Sequence, residues 1–160
     1  MAEFLPIVSK TFKFEGGFQN FPNDSANYCM NKELVGTNHG ISAIAYENYL
    51  GRCPSVADMK AITTDIAKKV YKKNYWDKMR LDEIKDQSLA HIMFDAFIAS
   101  GFEGMKRVKK AVNKYADVFS INSNSFTKEQ AAKINTLHSG KLFDTIKQGE
   151  VENRRALAAA

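Results

Sequence analysis

Five consecutive residues, Phe14-Glu15-Gly16-Gly17-Phe18, set one carboxylic acid between two aromatic rings and against two glycines. Aromatic walls strip water from a carboxyl, and desolvation disfavours its charged form. A glutamic acid kept protonated near neutral pH can hand its proton to a leaving oxygen. The glycines let a bulky polymer approach the backbone. The plainer reading of Glu15 is a solvated residue at a helix end. A second carboxylate, Asp24, follows with eight residues between the two. Cleavage between sugars generally uses two carboxyl groups flanking the bond. One protonates the leaving oxygen, and the other activates water or supports positive charge at the sugar carbon. A helix-end Glu and a loop Asp suit the two sides of a cleft. Alternatively, Asp24 caps a turn beside Pro22 and Ser25.

A third polar group lies at Gly36-Thr37-Asn38-His39-Gly40-Ile41-Ser42. Its small side chains suit fixing a water or hydrogen-bonding a sugar. It also reads as a helix entry capped by Asn38 or Ser42. His39, the only histidine near these residues, is either a substrate contact or a structural side chain. Phe14, Phe18 and Tyr28 offer apolar surface to sugar rings. His91 and His138 have no partners at metal-ligand spacing, so no zinc site is implied. The chain has no GxSxG, Walker or dinucleotide-binding glycine pattern, and the chemistry needs no cofactor. Cys29 and Cys53 form no CxxC pair. Each reads as a buried small hydrophobe, or half of one optional bridge, rather than a nucleophile.

The elements that must position these groups are mostly helical. Phe4 to Phe14 reads as a first helix with Phe4, Leu5, Val8 and Phe12 on one apolar face, stopped by Gly16-Gly17. Glu15 then stands at its last turn. Residues 18–40 have no sustained period and are dense in turn formers, with room for a small β-hairpin. An irregular stretch this long inside a compact domain is usually functional. Helices are expected over Ile41–Tyr49, ended by Gly51, over Ser55–Lys60 with Ser55 as cap, and from Thr63 or Thr64 to about Trp76. Asp82–Lys85 reads as a connecting turn. Gln87–Ser100 is apolar nearly all round and reads as the central buried helix, closed by Gly101. Further helices are expected from Phe102 or Glu103 to Tyr115, from a Thr127 cap to Leu137, and from Lys141 to about Arg155. Trp76 and Asp95 are read as structural residues.

The 160 residues are 44% hydrophobic and 26% charged, ordinary values for a globular protein. The net charge of +5 favours anionic partners. Lys68, Lys69, Lys72 and Lys73 cluster at helical spacing and read as one solvated face. No segment approaches the roughly 20 apolar residues of a membrane span, and no secretory signal is visible. The expectation is a protein made in the cytoplasm that meets any outer substrate after release or export. A nucleic-acid binder rests on charge alone, because no helix-turn-helix or RNA-binding signature is present.

The motifs together resemble glycoside hydrolase family 108. Phe14-Glu15-Gly16-Gly17-Phe18 is similar to its Glu-Gly-Gly-aromatic motif, and Thr37-Asn38-His39-Gly40-Ile41-Ser42 to its Thr-Asn-aromatic-Gly-Ile-Thr/Ser element. Tyr71-Lys72-Lys73-Asn74-Tyr75-Trp76 resembles its Tyr-x-x-x-Tyr-Trp signature. Leu89-Ala90, Phe94-Asp95 and Ser100-Gly101 resemble positions of its C-terminal peptidoglycan-binding segment. The likeness runs over about residues 4–150. It departs where Asp24-Ser25-Ala26-Asn27 and extra residues through Val35 replace an Asp-Pro-Gly-Gly loop, and where His39 holds the aromatic position.

This resemblance implies a mainly α, lysozyme-like N-acetylmuramidase of phage or bacterial type, cutting the β-1,4 bond of peptidoglycan glycan strands. It implies a catalytic part at 1–86 and a helical peptidoglycan-binding segment at 87–155, in a monomer without stable membrane insertion. Glu15 would be the acid. Asp24 and Thr37 would complete the catalytic set, with Asp24 helped by Thr37 or Ser42. Asp24 also fits the wider phage-lysozyme spacing, whereas Thr37 lies further along than that pattern's usual gap. Phe18, Tyr28, Asn38, His39 and Ser42 are the expected substrate contacts. The rival expectation is a non-catalytic module that holds peptidoglycan without cutting it.

Overall fold

The computed structural model describes residues 1–11 and 16–160. The expectations for Phe12, Phe14 and Glu15 lie outside the described residues. Helix α1 runs Phe4–Thr11. Phe4 and Val8, one turn apart, are buried, but Leu5 is 63% exposed. At about 100° per residue, Leu5 points a quarter turn away from the Phe4–Val8 line, so it does not share their face.

Short polar caps set the next three helices. Ser42 Oγ accepts from Ala45 N–H and starts α2, Ala43–Leu50, which ends at a left-handed Gly51. Ser55 and Asp58 form a reciprocal capping box on α3, Val56–Lys60. Thr63 Oγ1 accepts from Ile66 N–H and starts α4, Thr64–Tyr71. The chain then stays helical with a wider winding, a π turn over Lys72–Trp76, and tightens to a 3-10 turn at Asp77–Met79.

Helix α5 spans Gln87–Asn113, with Gly101 at φ 54° and ψ −136° breaking its path. A Cβ on Gly104 would collide with the Ala96 carbonyl. The two halves expected from the sequence therefore meet backbone to backbone, which only a residue without a side chain permits. Helix α6, Lys128–Ile134, carries a Thr127–Gln130 capping box. Helix α7, Ser139–Ala159, begins where His138 Nδ1 accepts from Lys141 N–H and runs past the expected end at Arg155. Among the described residues, β structure is limited to three isolated antiparallel bridges rather than a hairpin of strands. None of the helices described is long and apolar enough to cross a membrane.

Two compact units result, one of Met1–Ile7 with Tyr75–Ala160 and one of Val8–Asn74. In the first, the fully buried Trp76 packs edge-on against Phe4 and Phe94, with ring centroids 5.3 and 5.7 Å away. Its indole N–H donates to Asp82. This fits the structural reading of Trp76. Arg107 of α5 grips Glu150 of α7 through two hydrogen bonds, at 2.7 and 3.1 Å. Asp95 lies 3.3 Å from His91, one turn earlier on the same helix. The Lys109 ammonium is fully buried and donates to Ser120 O and to Ser123. Burial pushes its pKa below the ordinary lysine value.

Candidate active site

The Val8–Asn74 unit holds the irregular stretch, and long-range contacts give it a definite shape. Gln19 and Thr37 exchange both backbone hydrogen bonds, at 2.9 and 2.8 Å. Inside that pair, Tyr28 bridges Leu34, and a Cys29–Cys53 disulfide ties the stretch to the segment before α3. The optional bridge is thus formed. Met30 N–H donates to the buried Glu47 carboxylate of α2 at 2.9 Å. Tyr71, from the Tyr-Lys-Lys-Asn-Tyr-Trp run, donates to Gly40 O at 3.0 Å. Asn74 donates to Ala45 O at 2.7 Å. Tyr71 and Asn74 therefore tie their part of the run to Gly40 and to α2.

Gly36 is required at the closest approach. Its φ is +99°, and a Cβ there would lie 2.5 Å from the Phe18 ring and 2.7 Å from Gln19 O. Phe18 accordingly packs against backbone, and the Lys60 ammonium sits 5.1 Å from its ring centroid. Its aromatic face is shared with a cation rather than left bare.

Asp24 is half-buried, and both its oxygens have partners. Oδ1 accepts from Ala26 N–H at 3.0 Å, capping a 3-10 turn at Ser25–Asn27. Oδ2 accepts from Gln19 Nε2 at 3.0 Å. Asp24 thus caps the turn, and each of its carboxylate oxygens keeps a second lone pair. Gln19 Oε1 in turn accepts from Asn27 Nδ2 at 2.8 Å and Phe21 N–H at 3.1 Å. Thr37 Oγ1 donates to Ala26 O at 3.3 Å. Asp24 and Thr37 are therefore joined through Gln19 and Ala26. The fully buried Asn27 keeps Oδ1 without a hydrogen-bond partner among the described residues.

The remaining expected substrate contacts divide differently. Asn38 is 4% exposed, and its amide donates to Met59 O at 2.9 Å and Lys60 O at 3.3 Å. It closes the C-terminal end of α3 from within the protein. Ser42 caps α2, and Tyr28 OH donates to Pro22 O at 2.9 Å. His39 is half-buried at φ 48°, with its Nδ1 unpartnered among the described residues. Among those residues no group of His, Cys, Asp and Glu is arranged to hold a metal ion. Sequence reasoning missed Gln19 and Asn27. Their only local signal is polarity in a turn-rich stretch, and their partners come from the fold of the loop.

The family model for glycosyl hydrolase 108 matches residues 8–101, a stretch that contains this cluster and Glu15. The chain belongs to glycosyl hydrolase family 108. Its reaction class is therefore glycoside hydrolysis. The solved structure of SagA from Brucella abortus is similar to this family 108 chain with a TM-score of 0.67 and 24% sequence identity. The similarity covers 89% of this chain and 74% of SagA, and it shows a shared fold. That fold is the lysozyme-like helical one expected from the motifs. No curated protein matches the chain significantly.

Proposed function

We propose that this family 108 hydrolase is an N-acetylmuramidase that hydrolyses the β-1,4 bond after N-acetylmuramic acid in peptidoglycan. Glu15 protonates the departing oxygen. Asp24 positions water or supports the oxocarbenium-like charge, and Thr37 holds the loop that carries it. Phe18, Tyr28 and His39 border the sugar. Asn38 and Ser42 contribute by holding α3 and α2 rather than by touching substrate. Residues 1–86 carry the chemistry, and residues 87–155 hold the wall polymer. The enzyme acts as a monomer on the cell wall after release or export, as a lysis enzyme would.

The observation that carries this reading is the family match over residues 8–101, which includes Glu15, Asp24 and Thr37 in one continuous stretch. The hydrogen-bonded Asp24–Gln19–Thr37 cluster supports it, because a preorganised carboxylate is what the second role needs. A turbidity assay on purified cell walls tests the proposal. Wild type should clear the suspension, and Glu15→Gln should clear it about 100- to 10,000-fold more slowly. If neither clears the walls yet both pellet with them, the chain is a binding module rather than a muramidase.

A further inference from the structure

We propose that Gln19 is a positioning residue for hydrolysis, acting through Asp24. The inference rests on the role assigned to Asp24 above. Gln19 is held at both ends. Its backbone is locked to Thr37 by two hydrogen bonds. Its side-chain oxygen accepts from Asn27 Nδ2 at 2.8 Å and Phe21 N–H at 3.1 Å. Its side-chain nitrogen is then left to donate to Asp24 Oδ2 at 3.0 Å. Two donors on one side and a carboxylate on the other admit only this amide orientation.

The consequence falls on the Asp24 carboxylate. With Oδ1 fixed by Ala26 N–H and Oδ2 fixed by Gln19, its plane cannot rotate about the Cβ–Cγ bond without breaking a hydrogen bond. Its remaining lone pairs keep one direction before substrate arrives. Holding a reacting group in advance lowers the barrier, and a misplacement of about 1 Å can cost about a hundredfold in rate. Few side chains can do this task. The residue must donate to a carboxylate and accept from two N–H groups through one terminal group of the right length, which a Gln amide does.

Glutamate at this position separates the two halves of the task. Gln19→Glu keeps an oxygen for Asn27 and Phe21 but loses the donor and sets a carboxylate against Asp24. Gln19→Met loses both halves at similar volume. On purified cell walls, Gln19→Glu should lower kcat about 10- to 100-fold while KM stays within about twofold, so that the loss lies in turnover rather than in binding. Gln19→Met should lower kcat and the thermal midpoint together. The Gln19→Glu change should add no further loss to Asp24→Asn, because the two act as one unit. Wild-type kcat in Gln19→Glu overturns the inference, and so does a double variant slower than Asp24→Asn alone. Wild-type activity in Asp24→Asn instead overturns the reading of Asp24. Loss in Asp24→Asn with full activity in Gln19→Glu leaves that reading standing and removes only the role of Gln19.

Discussion

Asp24 is held by neighbours on both sides, which would aim its carboxylate in the role proposed for it. Gly36 makes the aiming possible, because it lets Phe18 and Gln19 lie directly on its backbone. Gly36→Ala should destabilise the protein by about 1–3 kcal/mol, from a strained φ and a displaced ring, as denaturant unfolding would record. Hydrolysis should fall with it, since the Gln19–Thr37 pair must move. A stable, fully active Gly36→Ala protein would show that this approach is unimportant. Asp58 offers a separate residue-scale test. The Arg52 guanidinium, followed by the Ser55 N–H and hydroxyl, holds its carboxyl well below the usual carboxylate range. The folded chain thus binds this proton less readily than the unfolded chain, so stability rises with pH across the window between the two values. The contribution is complete above the unfolded value of about 3.9 and is lost as pH falls from there. Asp58→Asn should melt below wild type at neutral pH, with the gap shrinking as pH drops below about 4.

At the scale of elements, the disulfide is the strongest single constraint on the irregular stretch. Cys29 and Cys53 are 24 positions apart, and closing a loop of that length removes unfolded-state entropy worth about 3 kcal/mol. Replacing both with Ser, or adding a reductant, should lower stability by about that amount, read from denaturant midpoints. No change would mean that the other ties, such as Met30 to Glu47, suffice alone. Which elements could be read from sequence follows from how local their causes are. Ser42, Ser55, Thr63 and Thr127 were legible as caps because each partner lies three residues away. Trp76 was legible as a structural residue because it ends a helix whose inner side carries Ile66, Val70 and Tyr71. Gln19 and Asn27 were not legible, since their hydrogen bonds exist only after residues 19 and 37 pair. The bonds that Asn38 makes to α3 were not legible, because its receiving carbonyls lie more than 20 residues away. The pairing of the cysteines is not legible in the sequence, because two thiols alone do not specify a bond.

At the scale of the whole molecule, the sequence yielded a helical, lysozyme-like chain and its family, because four motif blocks occur in order. The similarity to SagA and the match to glycosyl hydrolase 108 agree with that reading. The net charge of +5 suits an anionic wall polymer, though charge sets encounter rather than bond choice. The proposed muramidase function therefore depends on which bond is broken and which acid breaks it. Purified peptidoglycan digested with wild type and with Glu15→Gln, followed by mass analysis of the released fragments, measures both. Wild type should release fragments that each gain one water and end in reducing N-acetylmuramic acid, and Glu15→Gln should release almost none. New ends on N-acetylglucosamine, ends lacking the added water, or equal digestion by Glu15→Gln would contradict it.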